Sequence, residues 1–352
     1  MLKKVLSTVL VIMMVSVLFV GCGEKTETSK DGENVNSNKV ASENNDKQEN
    51  TKSIIFRLAD NHPADYPTTL GDYEFARLVE EKTEGRIKIE VFHSKQLGEE
   101  KEVIEQVQFG GIDFARVSLA PLTEFSPSLN VLILPYLYEN ADHMWKVLNS
   151  SIGDQFLASI ESANFIGLAW YDGGARSFYN SKKEIKCLAD LKGLKFRVQQ
   201  SALIIDMVKN LGASPTPLPY GEVYSAIQTG VIDGAENNWP SYDTSSHFEV
   251  AKYYTIDEHL RVPEMIIASK ISMEKVSDED MILVKEAAKE AQEFQIEKWN
   301  EKEAKSEEKV KEAGCIITRL ENKDEFVEAV KPLYEKYASE YTDIIGEIQD
   351  MK

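Results

Sequence analysis

The chain has 352 residues, 42% of them hydrophobic and 28% charged, which is too long for one compact core and fits two lobes of ordinary globular composition. Against 59 Asp and Glu stand 40 Lys and Arg, a formal charge of −19. Nucleic-acid binding needs a basic footprint, so that class is excluded.

Met1-Leu2-Lys3-Lys4, an apolar run from Val5 to Val20, and Gly21-Cys22 follow the order of an export signal: charged segment, apolar segment, small residues at the cut. The run is shorter than the ~20 apolar residues of a membrane-spanning helix, and a polar stretch follows it. Cleavage after residue 21 removes Lys3 and Lys4 and takes the charge from −19 to −21. Phe19-Val20-Gly21-Cys22 is similar to a bacterial lipobox, whose Cys becomes the lipidated N-terminus, although Phe19 stands where Leu is usual. The alternative is an ordinary signal peptide in which Cys22 has no such role. Residues 23–52 contain no aromatic and little apolar side chain, the composition of a disordered tether with an r.m.s. reach of roughly 30 Å. Beyond it only Cys187 and Cys315 remain, enough for one disulfide at most. The five His are scattered and no CxxC or HExxH occurs, so neither a metal nor a cofactor is expected.

From Ser53 short apolar strands alternate with amphipathic helices, the pattern of an α/β fold with mostly parallel sheets. Strands are predicted at 54–58, 87–91 and 112–117, and helices at 70–83 and 101–109. The order begins again near residue 193, with a strand at 194–198 and helices at 202–211 and 220–228. Val107–Asp113 and Ile227–Asp233 share a Q-x-G-x-I-D core 120 residues apart, which favours two similar lobes over coincidence. In Trp170-Tyr171-Asp172-Gly173-Gly174-Ala175-Arg176 two glycines break a strand, which suits a crossover between lobes or a hinge. Ser277-Asp278-Glu279-Asp280 opens a helix with an N-cap and an acidic first turn, and neither Pro nor Gly follows until Gly314. A single helix there is roughly 50 Å long and lies across both lobes. A pair of helices kinked at Asn300 is the alternative.

Arg197 faces away from Leu194, Phe196 and Val198 in its strand, and a charge on that face needs compensation. A ligand carboxylate supplies it through hydrogen bonds of about 1.5–3 kcal/mol each; an internal acid or a solvated strand end does so equally. Gly234-Ala235-Glu236-Asn237-Asn238-Trp239-Pro240 places amides and an indole at the C-terminal end of a strand, where open α/β sheets bind ligands. Asn237 both donates and accepts, while Trp239 either stacks on the apolar face of a sugar or packs in the core. No G-x-S-x-G, P-loop or nucleotide fingerprint is present, and acidic pairs such as Glu99-Glu100 read as solvated surface, so no catalysis is expected.

Gln96-Leu97-Gly98, Leu191–Val198, Leu211-Gly212-Ala213-Ser214-Pro215-Thr216-Pro217 and Glu222–Gly234 together resemble the DctP-type substrate-binding proteins of tripartite ATP-independent periplasmic (TRAP) transporters, over residues 53–350. The resemblance implies a two-lobed periplasmic-binding-protein-like α/β fold with strand crossovers. It implies lobes at 53–173 plus 263–305 and at 174–262 plus 306–352, behind a leader at 1–21 and a lipidated tether at 22–52. The implied role is capture of an organic acid by domain closure outside the cytoplasm, by a lipid-anchored monomer, and its delivery to the small and large membrane subunits of a permease. By the same resemblance Arg197 grips the ligand carboxylate, Arg176 is a second Arg in the preceding strand, and Asn237, Asn61, Glu100 and Ser118 occupy further ligand positions. Ser118 stands where sialic-acid binders often carry an acid, which counts against sialate. Asn61–Pro67 and Glu236–Tyr242 look like the hexuronate-binding branch, and His62, Glu100 and Asn238 suit a hydroxylated sugar acid. Alternatives are a C4 dicarboxylate or other monocarboxylate ligand, an exported enzyme acting on acidic saccharides, and a receptor that reports to a sensor kinase.

Overall fold

The computed structural model describes residues 53–352, so the expectations for the leader, Cys22 and the tether lie outside the described residues. The first sheet takes β1 (Ile54–Ala59), β2 (Ile87–Phe92), β3 (Phe114–Ser118), β4 (Phe165–Tyr171) and β10 (Glu264–Ser269) in the order β2-β1-β3-β10-β4. The second takes β5 (Ala175–Asn180), β6 (Lys195–Val198), β7 (Ser214–Pro217), β8 (Gly234–Asn237), β9 (Tyr253–Arg261) and β11 (Ile316–Arg319) in the order β11-β9-β5-β8-β6-β7. Both sheets are mixed rather than mostly parallel. In the first, β1 runs parallel to β2 and β3, while β10 is antiparallel to β3 and β4. In the second, β5 is antiparallel to both β8 and β9. The reason is the connectivity: the chain passes from one sheet to the other at β4–β5 and returns at β9–β10, and the two connections run in opposite directions.

The first crossover is the Asp172-Gly173-Gly174 break. Gly174 has φ +64°, and a Cβ there would lie 2.8 Å from the Trp299 ring. A Cβ on Gly173 would come within 2.5 Å of the Val262 carbonyl in the return connection, so the two crossovers touch and only glycine fits between them.

The helix Asp278–Glu312 runs unbroken for 35 residues, capped by Ser277 Oγ, which accepts from the Asp280 amide at 3.0 Å. No kink separates it at Asn300. Val284, Ala287, Ala288 and Ala291 pack with the first sheet, and Val310 packs with the second, so one helix covers both lobes. Between those ends Gln295 accepts from the Asp172 amide at 2.7 Å and donates to the Asp172 carbonyl at 3.0 Å, which fixes the crossover to the helix. The closing helices bond on both sides: Tyr334 Oη donates to the Pro135 carbonyl at 2.8 Å and Tyr337 Oη to Asp206 at 2.7 Å. Cys187 and Cys315 are both free thiols.

The two Q-x-G-x-I-D segments have the same local structure. Each closes a helix, Glu100–Gln108 or Val223–Gln228, with a glycine at φ +75° and then enters a central strand, β3 or β8. Asp113 accepts from the Arg57 amide of β1 at 2.8 Å, and Asp233 accepts from the Lys195 amide of β6 at 2.9 Å. The shared Asp therefore ties each central strand to its parallel neighbour, and each strand ends at the cleft between the lobes.

Candidate functional site

On the first lobe the end of β1 delivers Asp60, Asn61 and His62, β3 delivers Arg116 and Ser118, and β10 delivers Glu264. Arg116 is buried and sits at the centre. Its Nη2 lies 2.5 Å and its Nε 3.1 Å from the Asp60 carboxylate, and Nη1 lies 3.2 Å from Glu100 and also bonds Glu264. Nη2 further bonds Asn61 Oδ1. Burial alone raises the Asp60 carboxyl, but Arg116 and His62 outweigh it and hold the group well below its ordinary range. Burial, joined by the Arg116 charge, lowers His62 to about 4, so its ring is neutral and stacks on Tyr66 at 3.9 Å. Glu100 and Glu264 are pushed above their ordinary values by burial.

On the second lobe the same diagonal across an antiparallel pair holds Arg176 of β5 against Glu236 of β8. Arg176 Nε donates to Glu236 Oε2 at 2.5 Å, and Nη1 donates to Asn237 Oδ1 at 2.9 Å. Behind them His259 Nε2 lies 3.5 Å from Glu236, and its Nδ1 lies 2.8 Å from Asp257. Burial opposes a charge on His259, yet Asp257 and Glu236 overcome it and raise the imidazole to about 9. Burial likewise opposes the Glu236 charge, but Arg176 and His259 hold that carboxyl at about 2.

Arg197 differs from both of these arginines. It is 4% exposed, its Nε donates to the Leu218 carbonyl at 2.9 Å, and among the described residues no carboxylate pairs with it. Among the described residues its terminal nitrogens have no hydrogen-bond partner in the cleft that it lines. Burial lowers its pKa from the usual value, but a guanidinium keeps its proton in water. Tyr220 packs beside it, with the guanidinium carbon 5.9 Å from the ring centroid. An unpaired buried cation is costly unless an anion joins it, so this is the position at which the site is incomplete.

Of the residues singled out in the sequence, Asn61, His62, Glu100, Ser118, Arg176, Arg197, Asn237 and Asn238 line one cleft. Trp239 is not among them. It stacks on Tyr254 at 3.8 Å, because the chain turns into the helix Trp239–Thr244 directly after Asn238 and carries the indole to the far side of β8. Arg176 lines the cleft, but its charge is matched by Glu236. Asn238 is largely committed to structure: its Oδ1 caps that helix at the Ser241 amide, 2.8 Å, and its Nδ2 donates to the Gly173 carbonyl, 2.8 Å.

Sequence reasoning missed Arg116, Gln199, Tyr220, Ser241 and Glu264, which also line the cleft. A signal existed for one of them: Arg116 stands three residues after Asp113, as Glu236 stands three after Asp233. The lobes touch around the cleft through Gln199 Nε2, which donates to Ser118 Oγ at 3.0 Å, and through Tyr66 Oη and Ser241 Oγ, 2.8 Å apart. Gln199 Oε1 is buried there without a partner.

The profile of bacterial extracellular solute-binding protein family 7, DctP, matches residues 58–340. A solute-binding protein of Chromohalobacter salexigens is 38% identical over 291 residues, which cover 83% of this chain and 87% of that protein. Among solved structures, a TRAP periplasmic solute-binding protein from a Bradyrhizobium species, in complex with α/β-D-galacturonate, is 45% identical with a TM-score of 0.83, covering 84% of this chain and all of that one (100%). One from Roseobacter denitrificans with bound β-D-glucuronate is 37% identical with a TM-score of 0.83, covering 85% of this chain and 100% of that one.

Proposed function

The chain belongs to the DctP family of TRAP solute-binding proteins, and from that premise we propose that its ligand is a hexuronate such as glucuronate or galacturonate. The observation that carries this reading is Arg197, a buried guanidinium with two open nitrogens in a cleft whose other groups are hydrogen-bonding side chains. It grips the ligand carboxylate in the two-pronged manner that suits arginine. Gln199, Asn237 and the acids of the first lobe meet the ring hydroxyls, and Tyr220 closes the cleft beside the bound acid. The related structures with galacturonate and glucuronate support the same ligand class.

Capture proceeds by closure of the lobes 53–173 plus 263–305 and 174–262 plus 306–352 about the Gly173-Gly174 and Val262-Pro263 crossovers, without catalysis. The loaded monomer then delivers the acid to the small and large membrane subunits of a TRAP permease. Cys22 and the polar stretch after it hold the protein to the outer face of the cytoplasmic membrane, as the lipobox-like sequence supports. With a net charge near −21 after processing, attraction of an anion from afar does not operate, since fields decay over about 8 Å at physiological salt. Capture rests on the local Arg197.

A thermal-shift panel with D-glucuronate, D-galacturonate, succinate, malate, sialate and pyruvate tests the reading. A ligand present at 100 times its Kd stabilises the native state by about 2.7 kcal/mol, so a raised melting temperature with the uronates alone is the expected result. A rise with succinate or malate instead overturns it.

A further inference from the structure

Asp72 is a fully buried acid behind the cleft, and nothing in the capture of a ligand uses it directly. Its helix, Pro67–Lys82, packs on the first sheet through Phe75, Leu78 and Val79. Thr68 and Thr69, one turn before Asp72 on the same helix face, donate from Oγ1 to Asp60 Oδ2 at 2.9 and 3.2 Å. Asp72 turns toward the same carboxyl, and the two acid side chains are in hydrogen-bond contact. No N–H or O–H of the described residues reaches either Asp72 oxygen. Asp60, in contrast, also accepts from the His62 amide at 2.7 Å and from Arg116 Nη2 at 2.5 Å. Two buried carboxyls in contact cannot both be ionised, so one proton lies between them. The donors and the guanidinium are all on Asp60, which is therefore the anion, and the proton stays with Asp72.

We propose that Asp72 is a positioning residue of the ligand cleft: it stands in the folded protein as a neutral carboxylic acid, donates to Asp60, and so holds Asp60 on Arg116 and His62. Asn61 and His62 follow Asp60 in the chain and line the cleft, which is how a group behind the cleft reaches the ligand. The titratable and charged groups that face Asp72 and its neighbour Tyr171 are Asp60 and His62 at the end of β1, Arg116 of β3, Glu264 of β10 and Glu74 of its own helix. The long helix presents the uncharged Gln295 at Gly71, beside it. Burial pushes the Asp72 carboxyl well above its ordinary 3.8, and the Asp60 charge adds to the rise. An acid that keeps its proton in the folded state stabilises the fold in full below 3.8, and that contribution is lost as the pH rises.

The test compares the whole protein with Asp72→Asn, which keeps a donor and cannot ionise, and with Asp72→Leu, which has no donor. Melting temperatures are the first readout: between pH 4 and pH 8 the difference between Asp72→Asn and the wild type is expected to move in favour of the variant by about 4 °C. His62 and Glu264 titrate in that window in both proteins, so the difference reports Asp72. A difference that stays constant with pH overturns the inference. Calorimetric titration with D-glucuronate at pH 7 is the second readout, with Asp72→Asn expected within about threefold of the wild type and Asp72→Leu about tenfold weaker. Equal losses in the two variants overturn the positioning role. The second readout rests on the hexuronate reading; a wild type that binds no uronate overturns that reading, and the pH trend then decides the inference alone. The same trend decides it where Asp72→Leu fails to fold.

Discussion

The two halves of the cleft are built on one plan with the charges exchanged. Arg116 of β3 pairs in register with Ile266 and reaches diagonally to Glu264, two residues before that partner. Glu236 of β8 pairs in register with Phe178 and reaches diagonally to Arg176, again two residues before its partner. Three residues upstream of each, Asp113 and Asp233 tie the central strand to its parallel neighbour. The same strand geometry thus ends in a cation ringed by acids on one side and in an anion held by cations on the other. Sheet topology fixes where charges meet the cleft, and the identity of one strand residue decides their sign.

The largest expected effect separates the two central ion pairs. Arg116→Gln leaves Asp60, Glu100 and Glu264 buried without a cation and is expected to cost about 3–5 kcal/mol in chemical denaturation. Arg176→Gln leaves Glu236 still facing His259, so a smaller loss is expected, and equal losses would break the comparison.

Acidity sharpens it further. Folded His259 titrates at about 9 against an ordinary 6.5, so its charge stabilises the fold in full below 6.5, and that contribution is lost as the pH rises through 9. Glu236 is held at about 2 against 4.5, so its contribution is present above 4.5 and lost as the pH falls through 2. Melting temperatures are therefore expected to fall between pH 6.5 and 9, and His259→Asn is expected to flatten that limb; an unchanged limb in the variant would show that other groups set it.

The smallest effects test the repeat. Asp113→Ala and Asp233→Ala each remove the acceptor of one strand amide and are expected to cost about 1–2 kcal/mol apiece, with faster hydrogen exchange at Arg57 and Lys195 respectively. Loss at one site with none at the other would mean that the shared sequence does not do shared work.

Much of this was legible in the sequence. The Q-x-G-x-I-D repeat announced two similar lobes, the Gly173-Gly174 break announced the crossover, and the absence of Pro and Gly from 278 to 313 announced the long helix. What failed were questions of partnership. Arg197 in sequence offers either an internal acid or a ligand and Arg176 stands beside it as a second ligand arginine, and only three-dimensional placement shows that Glu236 satisfies Arg176 and that, among the described residues, no carboxylate pairs with Arg197. Trp239 beside Asn237 offered either a sugar platform or core packing, and a helix start at that residue turns the indole onto Tyr254, in the core. Glu264 went unread because a single acid after Pro263 in an otherwise apolar strand gives no sign that Arg116, 148 residues earlier, lies beneath it. The parallel pattern of the sheets was over-read because strands that pass between lobes must come back in the opposite sense.

The most direct test of the account is calorimetric titration of D-glucuronate or D-galacturonate into the wild type and into Arg197→Ala, with melting curves to verify the fold. If the unpaired guanidinium seats the ligand carboxylate, the variant loses roughly a hundredfold or more in affinity, the range found on truncating one partner of a buried charge pair. A variant that binds the uronate with near wild-type affinity would contradict it.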